Sequence, residues 1–421
     1  MRLQGLTPIQ NKFYNDEHRF VVLPSGRRSR KTLISKRKLL NAALRNPGHR
    51  YFQAAPTRAQ AKSIFWDHLK RDTKLLRKDK SDGELWVKLK NNAEIHVIGL
   101  DKPERIEGQP WNGGHISEIA NVKDGAWAEN IRPVLSDTKG WCILDGVPEG
   151  RNHLYDLALL ACDGSIPVTV PGEGAYHESQ IDKEWAYYSW HSADVLDAGE
   201  MLAVKNTLDE RTYRQEYEGS FEDVQGLLYW AFGAHNYSDC EYNKNEVVHI
   251  GMDFNVNPMT ATFSHIRGDE IYQFGEAYLN HSNTYEMVDH IKELFPVNKV
   301  KVYPDSTGKA EKSNASRSDI KILEQAGFGV FAKSTNPYIK DRIKTVNSLM
   351  MTADGTVRYH INPKNCPKTV NDFNRVESTD DGRENKKQEE TGLVHIASAF
   401  GYMAHYKFGI TSGTVKTLKR H

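Results

Sequence analysis

The sequence predicts a two-domain α/β protein. Three observations carry this: its length, an alternation of short apolar strands with helices in the first half, and the return of that alternation after a polar, aromatic interval. At 421 residues the chain exceeds what one hydrophobic core ordinarily serves, so two cores are expected. RFVVLPSG reads as a strand entering a turn, KTLISKRKLLNAAL as a helix, HRYFQAAP as a strand and RAQAKSIFWDHLKRDTKLL as a helix. AEIHVIGL, GGHISEI and GWCILDGVP are each short, apolar and followed by a turn or helix signal, the pattern of a parallel α/β sheet. Ligands on such sheets sit at the carboxyl ends of strands.

The pattern breaks at roughly residues 160 to 245. DGSIPVTVPGEG is loop-like, and DERTYRQEYEGSFEDVQGLLYWAFGAHNYSD is polar, aromatic and acidic, so a helical lid subdomain and linker are expected. VVHIGMDF, MTATFSHI and EIYQFGEAYL then read as three strands at hairpin spacing, followed by the helix NTYEMVDHIKELF and the strand KVKVYPD. That order resembles the start of an RNase H-like fold. The divisions read from sequence are 1–183, 184–245 and 246–421, with the polar run STDDGRENKKQEE expected as a mobile loop.

Composition narrows the classes. The start, MRLQGLTPIQNKFYND, lacks a signal-peptide apolar region, and no apolar run approaches bilayer length, so a soluble intracellular protein without a membrane partner is expected. Cys142, Cys162, Cys240 and Cys366 lie far apart with no CxxC pair, which points to reduced thiols. The net charge of +1 hides an asymmetry: residues 1–80 hold 20 Lys/Arg against 5 Asp/Glu. A basic segment on a near-neutral chain suggests a polyanion partner, a solvated helix face being the alternative.

Strand RFVVLP runs into SGRRSRKT and then a helix, placing Lys31 and Thr32 where free amides and the helix dipole favour anions. This resembles a Walker A loop, with Ser25 and Arg30 where the pattern has glycines and Gly26 one place late. Lys31 would reach the β and γ phosphates of ATP and the Thr32 hydroxyl would ligate Mg²⁺. Arg27, Arg28, Ser29 and Arg30 complete the loop. GRRSRKT, WNGGHISEIANVKDGAWAENIRPVLSD, GWCILDGVPEGRNHLYDL and RTYRQEYEGSF occur in that order, and together they resemble the large terminase of tailed phages. The resemblance implies an N-terminal P-loop ATPase of the ASCE type and a C-terminal RNase H-like nuclease. It makes Gln10, in LTPIQ, the candidate for reading adenine. Glu118 is the candidate for orienting or deprotonating the attacking water, with Ser117 in place of the preceding aspartate. Asp145, Gly146 and Arg151 are candidates for sensing the γ-phosphate, and Arg105 for a trans-acting arginine.

Asp253 and Asp305 end two predicted core strands about fifty residues apart, an arrangement that can bring two carboxylates onto a pair of hard cations for phosphodiester cleavage. GMDFNVNP and VYPDSTGK resemble the terminase nuclease, and GLVHIASAFGYMAHY resembles its C-terminal helix. Ser398 occupies the position of the third acid, so His395 with water, or Asp372, Glu377 or Glu276, would complete the site, or cleavage would be impaired. Mg²⁺ is the expected metal, with Mn²⁺ an alternative at the nuclease. The resemblance further implies double-stranded DNA, a portal protein and a small terminase subunit as partners. It also implies a homo-oligomeric ring, a pentamer on the procapsid, acting in the host cytoplasm and absent from the mature virion. Two other readings stay open: a P-loop helicase or repair ATPase with an inactive RNase H-like module, and a non-catalytic ATP-dependent DNA clamp.

Overall fold

The computed structural model describes residues 5–150, 152–222, 226–255, 257–306, 318–379, 388 and 392–409. The chain forms two compact units, one of residues 1–201 with 214–223 and the other of 202–213 with 224–421.

The first unit is built on nine strands: β1 (Phe20–Pro24), β2 (Arg50–Ala55), β3 (Arg77–Ser81), β4 (Trp86–Leu89), β5 (Glu94–Gly99), β6 (Gly113–Ser117), β7 (Trp141–Gly146), β8 (Ala175–Glu178) and β9 (Trp185–Ser189). Their order is β3-β4-β5-β2-β6-β7-β1-β9-β8. The six central strands, β5 through β9 in that order, run parallel. β3, β4 and β8 pair antiparallel, so the sheet expected to be parallel is mixed at both edges. β3, RKDKS, has no apolar alternation because it is an edge strand, where charged side chains discourage pairing with another chain. β9 is buried along its whole length, as a strand covered on both faces must be. It belongs to the stretch 184–245 read from sequence as lid and linker; that stretch is divided between the two units.

Phe20, Val22, Phe52, Ile116 and Leu144, from four of the parallel strands, are fully buried in one layer of the core. Each such side chain contributes about 1.5–3 kcal/mol of transfer free energy, which fixes the register of the strand ends above it.

The second unit holds β10 (Gly226–Leu227), β11 (Val248–Asp253), β12 (Met259–Arg267), β13 (Glu270–Leu279), β14 (Val300–Pro304), β15 (Gly329–Val330), β16 (Tyr359–Ile361) and β17 (Glu377–Ser378). Six of them form a sheet in the order β15-β14-β11-β12-β13-β16, and β10 pairs separately with β17. β11, β12 and β13 are an antiparallel meander, while β14 lies parallel to β11. The helix Thr284–Leu294 makes the crossover, its first amides capped by the Asn283 side chain. The helix His395–Phe408 packs across β11, β12 and β14. It can do so because β11 carries Gly251: a Cβ there would stand 2.1 Å from the Ala399 carbonyl oxygen. Most of STDDGRENKKQEE lies outside the described residues. The four cysteines are unpaired, and among the described residues no helix is long and apolar enough to cross a membrane.

Candidate nucleotide and metal sites

The loop between β1 and the helix Lys31–Arg45 is held by bonds to its backbone. Ser25 N donates to Gly146 O at 3.1 Å, Gly26 N to Trp190 O at 3.4 Å and Arg27 N to Glu216 O at 2.6 Å. Ser192 donates to Arg27 O at 2.5 Å, and Ser29 O accepts from the Trp190 indole at 2.8 Å and from Gln10 Nε2 at 3.2 Å. Gly26 is required by this clamp, since a Cβ would meet Tyr217 O at 2.2 Å and Ser192 Oγ at 2.3 Å. Arg28 and Arg30 take φ of +59° and +66°. Arg30 stands where the Walker A pattern has its second glycine, so the left-handed conformation is kept although the glycine is not. That conformation costs a side-chain-bearing residue about 1–2 kcal/mol.

Lys31 is buried, and its ammonium donates to Ser25 O at 3.1 Å and Gly26 O at 3.2 Å. Burial lowers its pKa, against the opposing pull of Glu118 and Asp145. Glu118 follows β6 in a left-handed conformation; burial raises its carboxyl pKa, with Lys31 working against the rise. Burial alone would lower the Arg27 pKa, but its ion pair with Glu216 raises it. Gln10 is fully buried with both ends of its amide engaged, Oε1 accepting from Thr7 N at 3.1 Å and Nε2 holding the loop at Ser29.

The carboxylate beside Thr32 belongs to Asp145, on the strand next to β6. In the β6–β7 register Ser117 pairs with Asp145. Ser117 Oγ donates to Asp145 Oδ1 at 2.8 Å, and Thr32 Oγ1 lies 3.5 Å from that oxygen and 3.3 Å from Ser117 Oγ. The other oxygen, Oδ2, is 2.6 Å from His115 Nε2. Burial alone would raise the Asp145 pKa, but His115, Lys31 and Ser117 together hold it below the usual value. The motifs in the sequence mark out neither His115 nor Glu216, although a His two residues before a strand end is a signal to follow.

Arg105 stands apart from this cluster in the short helical turn Pro103–Ile106, about half exposed, 3.2 Å from Asp101 rather than paired with its neighbours Glu104 or Glu107. It lines a shallow cavity of about 310 Å³ with Arg50 and Arg58. Arg151 lies outside the described residues.

In the second unit β11 ends at Asp253, and Asp305 follows β14 directly. Met252 pairs with Pro304, and Asp305 N donates to Met252 O at 3.1 Å, so the ladder carries on to the two aspartates. Neighbouring strands lie about 4.8 Å apart with paired side chains on one face, within reach of a shared ion. His395 Nδ1 is 3.1 Å from Asp253 Oδ2, and Asn255 Nδ2 is 3.1 Å from His395 Nε2. Thr260 Oγ1 donates to His395 O at 3.1 Å. Ser398 lies three residues further along the same helix, hence on the same face, and is buried.

Two of the alternative acids are occupied as caps. Asp372 accepts from Val394 N at 3.0 Å and Ala397 N at 3.4 Å, and burial raises its pKa to about 7. Glu276 accepts from Lys368 N at 2.7 Å and Thr369 N at 2.8 Å. Glu377 is exposed on β17. Among the described residues no three His, Cys, Asp or Glu side chains are drawn tightly enough to hold an ion. Asp253, with His395 beside it and Asp305 at the end of the adjacent strand, therefore belongs to no closed ligand shell among the described residues.

Residues 250–407 match the terminase RNaseH-like domain family. The terminase large subunit of Escherichia phage T5 is 23% identical over 244 residues, covering 55% of this chain and 52% of the T5 protein, so the chain spans about half the length of this curated relative. Among solved structures, the large terminase of a thermophilic bacteriophage aligns with a TM-score of 0.63 at 15% identity, over 96% of this chain and 99% of that one. The same thermophilic phage protein in complex with ATP-gamma-S gives 0.61 at 15% identity, over 95% and 99%. At this identity the likeness establishes the fold alone, and residues 250–407 match the RNaseH-like family in addition.

Proposed function

We propose that this chain, similar to phage large terminases in its RNase H-like domain, its curated relative and its fold, is a DNA-packaging motor subunit. In this reading it hydrolyses ATP to drive double-stranded DNA into a procapsid and cuts concatemeric DNA. The observation that carries it is the presence in one chain of two separate clusters: Lys31, Thr32, Glu118 and Asp145 at the phosphate loop, and Asp253 with Asp305 at adjacent strand ends.

At the loop, Lys31 would exchange the Ser25 and Gly26 carbonyls for the β and γ phosphates, and the first-turn amides of its helix would bind the same oxygens. Glu118, its carboxyl pKa raised by burial, would orient or deprotonate the attacking water. Gln10, its amide engaged by Thr7 and Ser29, would affect adenine binding through the loop it holds. Arg105, about half exposed beside Asp101, would act on a neighbouring copy in a ring. Thr32 offers a hydroxyl to Mg²⁺, which supplies charge neutralisation between the phosphates when bound. In the second unit Asp253 and Asp305 would offer the oxygen donors that Mg²⁺ or Mn²⁺ prefers, with His395 beside Asp253 and Ser398 one turn further along its helix. The portal, the small subunit, the ring and the host-cell setting follow from the terminase reading alone. A helicase with an inactive nuclease module is not favoured, because the similarity of the second unit is to terminases.

The test is DNA-stimulated ATP hydrolysis and Mg²⁺- or Mn²⁺-dependent plasmid cleavage by the full chain. Lys31→Ala and Glu118→Ala are expected to bring hydrolysis to background, and Asp253→Ala to abolish cutting. Wild-type hydrolysis in both loop variants would remove the motor reading, and unchanged cutting by Asp253→Ala would remove the nuclease.

A further inference from the structure

The Walker B position of β6 ends in Ser117 and Glu118, so the strand lacks the carboxylate that ordinarily backs the Mg²⁺ of a P-loop site. A serine hydroxyl does not replace it: it is neutral and brings none of the negative charge that a carboxylate sets against the ion. The missing carboxylate is present one strand away. Asp145 is fully buried at the end of β7, directly across the register from Ser117. Its Oδ2 is fixed by His115 at 2.6 Å, leaving Oδ1 facing Ser117 Oγ at 2.8 Å and Thr32 Oγ1 at 3.5 Å. The imidazole is itself buried and packed edge-on against Phe65, ring centroids 5.4 Å apart, so it has little freedom to release the carboxylate.

We infer that Asp145 takes the place of the absent Walker B aspartate, backing the Mg²⁺ of bound ATP together with Thr32, and that His115 is the residue that positions it. The site exchanges its two side chains between neighbouring strands, serine where the aspartate belongs and aspartate on the strand beside it. The inference rests on the phosphate-loop reading, and it moves Asp145 from γ-phosphate sensing to the metal.

Equilibrium binding of a fluorescent ATP analogue to the full chain, in Mg²⁺ and in EDTA, tests it without reference to turnover. The wild-type chain is expected to bind more tightly in Mg²⁺. In Asp145→Asn the ratio of the affinity in Mg²⁺ to that in EDTA should fall about tenfold, the loss of one charged metal contact. Exchanging the pair, Ser117→Asp with Asp145→Ser, should restore most of it. An undiminished Mg²⁺ response in Asp145→Asn overturns the inference while leaving the loop reading in place; a wild-type chain that binds no analogue in either buffer overturns both. Should the variants fail to fold, the wild-type chain still decides. With Fe²⁺ in place of Mg²⁺, ATP bound, and hydrogen peroxide and ascorbate added to generate hydroxyl radicals at the ion, backbone cleavage should fall beside both Thr32 and Asp145, and cleavage beside Thr32 without Asp145 contradicts the assignment.

Discussion

Single residues in the loop carry more than the motif does. Arg30 is held at φ +66°, a conformation that costs about 1–2 kcal/mol with a side chain, whereas glycine there would give back about 0.5–1 kcal/mol through the added freedom of the unfolded chain. Arg30→Gly is therefore expected to stabilise the protein by roughly 0.5–1 kcal/mol, seen as a higher unfolding midpoint in urea; a lower midpoint would mean that the guanidinium makes a stabilising contact worth more than the strain. Lys31 and Thr32 were legible from the strand-loop-helix pattern because the chemistry demands those side chains at a helix start. The part proposed for Asp145 was not: it depends on which strand lies beside β6, and no local pattern encodes that adjacency. His115 was hidden for the same reason, reading as one more residue of a buried strand.

Elements decide how well those residues are held. The helix His395–Phe408 brings His395 to Asp253 only because Gly251 allows its backbone against β11. Gly251→Ala has no room to relax, since the obstacle is a carbonyl oxygen and not a flexible side-chain end. It should cost about 1–3 kcal/mol of stability and reduce metal-dependent cutting, while ATP hydrolysis persists in the same preparation. Equal loss of both activities would place the damage in general folding.

The same helix is capped by Asp372, whose pKa is pushed up to about 7 by burial. A carboxyl with a raised folded pKa is protonated in the native state over a range where the unfolded chain has already lost its proton. Stability contributed by Asp372 should thus decline as pH rises from about 4 to about 7 and level off above, by on the order of a few kcal/mol. Asp372→Asn retains an acceptor for Val394 N and removes the titration, so urea unfolding of the variant in EDTA should show a flatter profile over that range. A wild-type slope in the variant would assign the dependence to another group. Such helix and strand assignments were largely readable, because apolar periodicity tracks burial. The strands not read were β3, β4, β8, β9, β10, β15, β16 and β17, most of them short or at a sheet edge: β3 has its pattern stripped by its edge position, and the fully buried aromatic run of β9 sits inside a polar interval.

At the scale of the molecule, length led to the expectation of two cores, and the chain forms two compact units. The antiparallel edges of the first sheet did not, since they depend on which strands end the layer. The two serines at 117 and 398 looked alike in the sequence, each at a position where an acid was expected. Folding separates them: position 117 has a carboxylate in register beside it, whereas near position 398 the acids Asp372 and Glu276 are committed to helix amides. The nucleotide site is consequently expected to be the more complete of the two, and cleavage to need higher metal concentrations than hydrolysis. Titration of both activities with Mn²⁺ in one preparation checks this, half-saturation of cutting being expected at the higher concentration.

One polypeptide is proposed to hold a nucleotide centre and a separate cation centre. Crystals grown with a non-hydrolysable ATP analogue and Mn²⁺ decide this through anomalous difference density. One peak is expected beside Thr32 and Asp145 and another between Asp253 and Asp305; density at neither place, or Mn²⁺ gathered only around surface acids, would overturn the proposal.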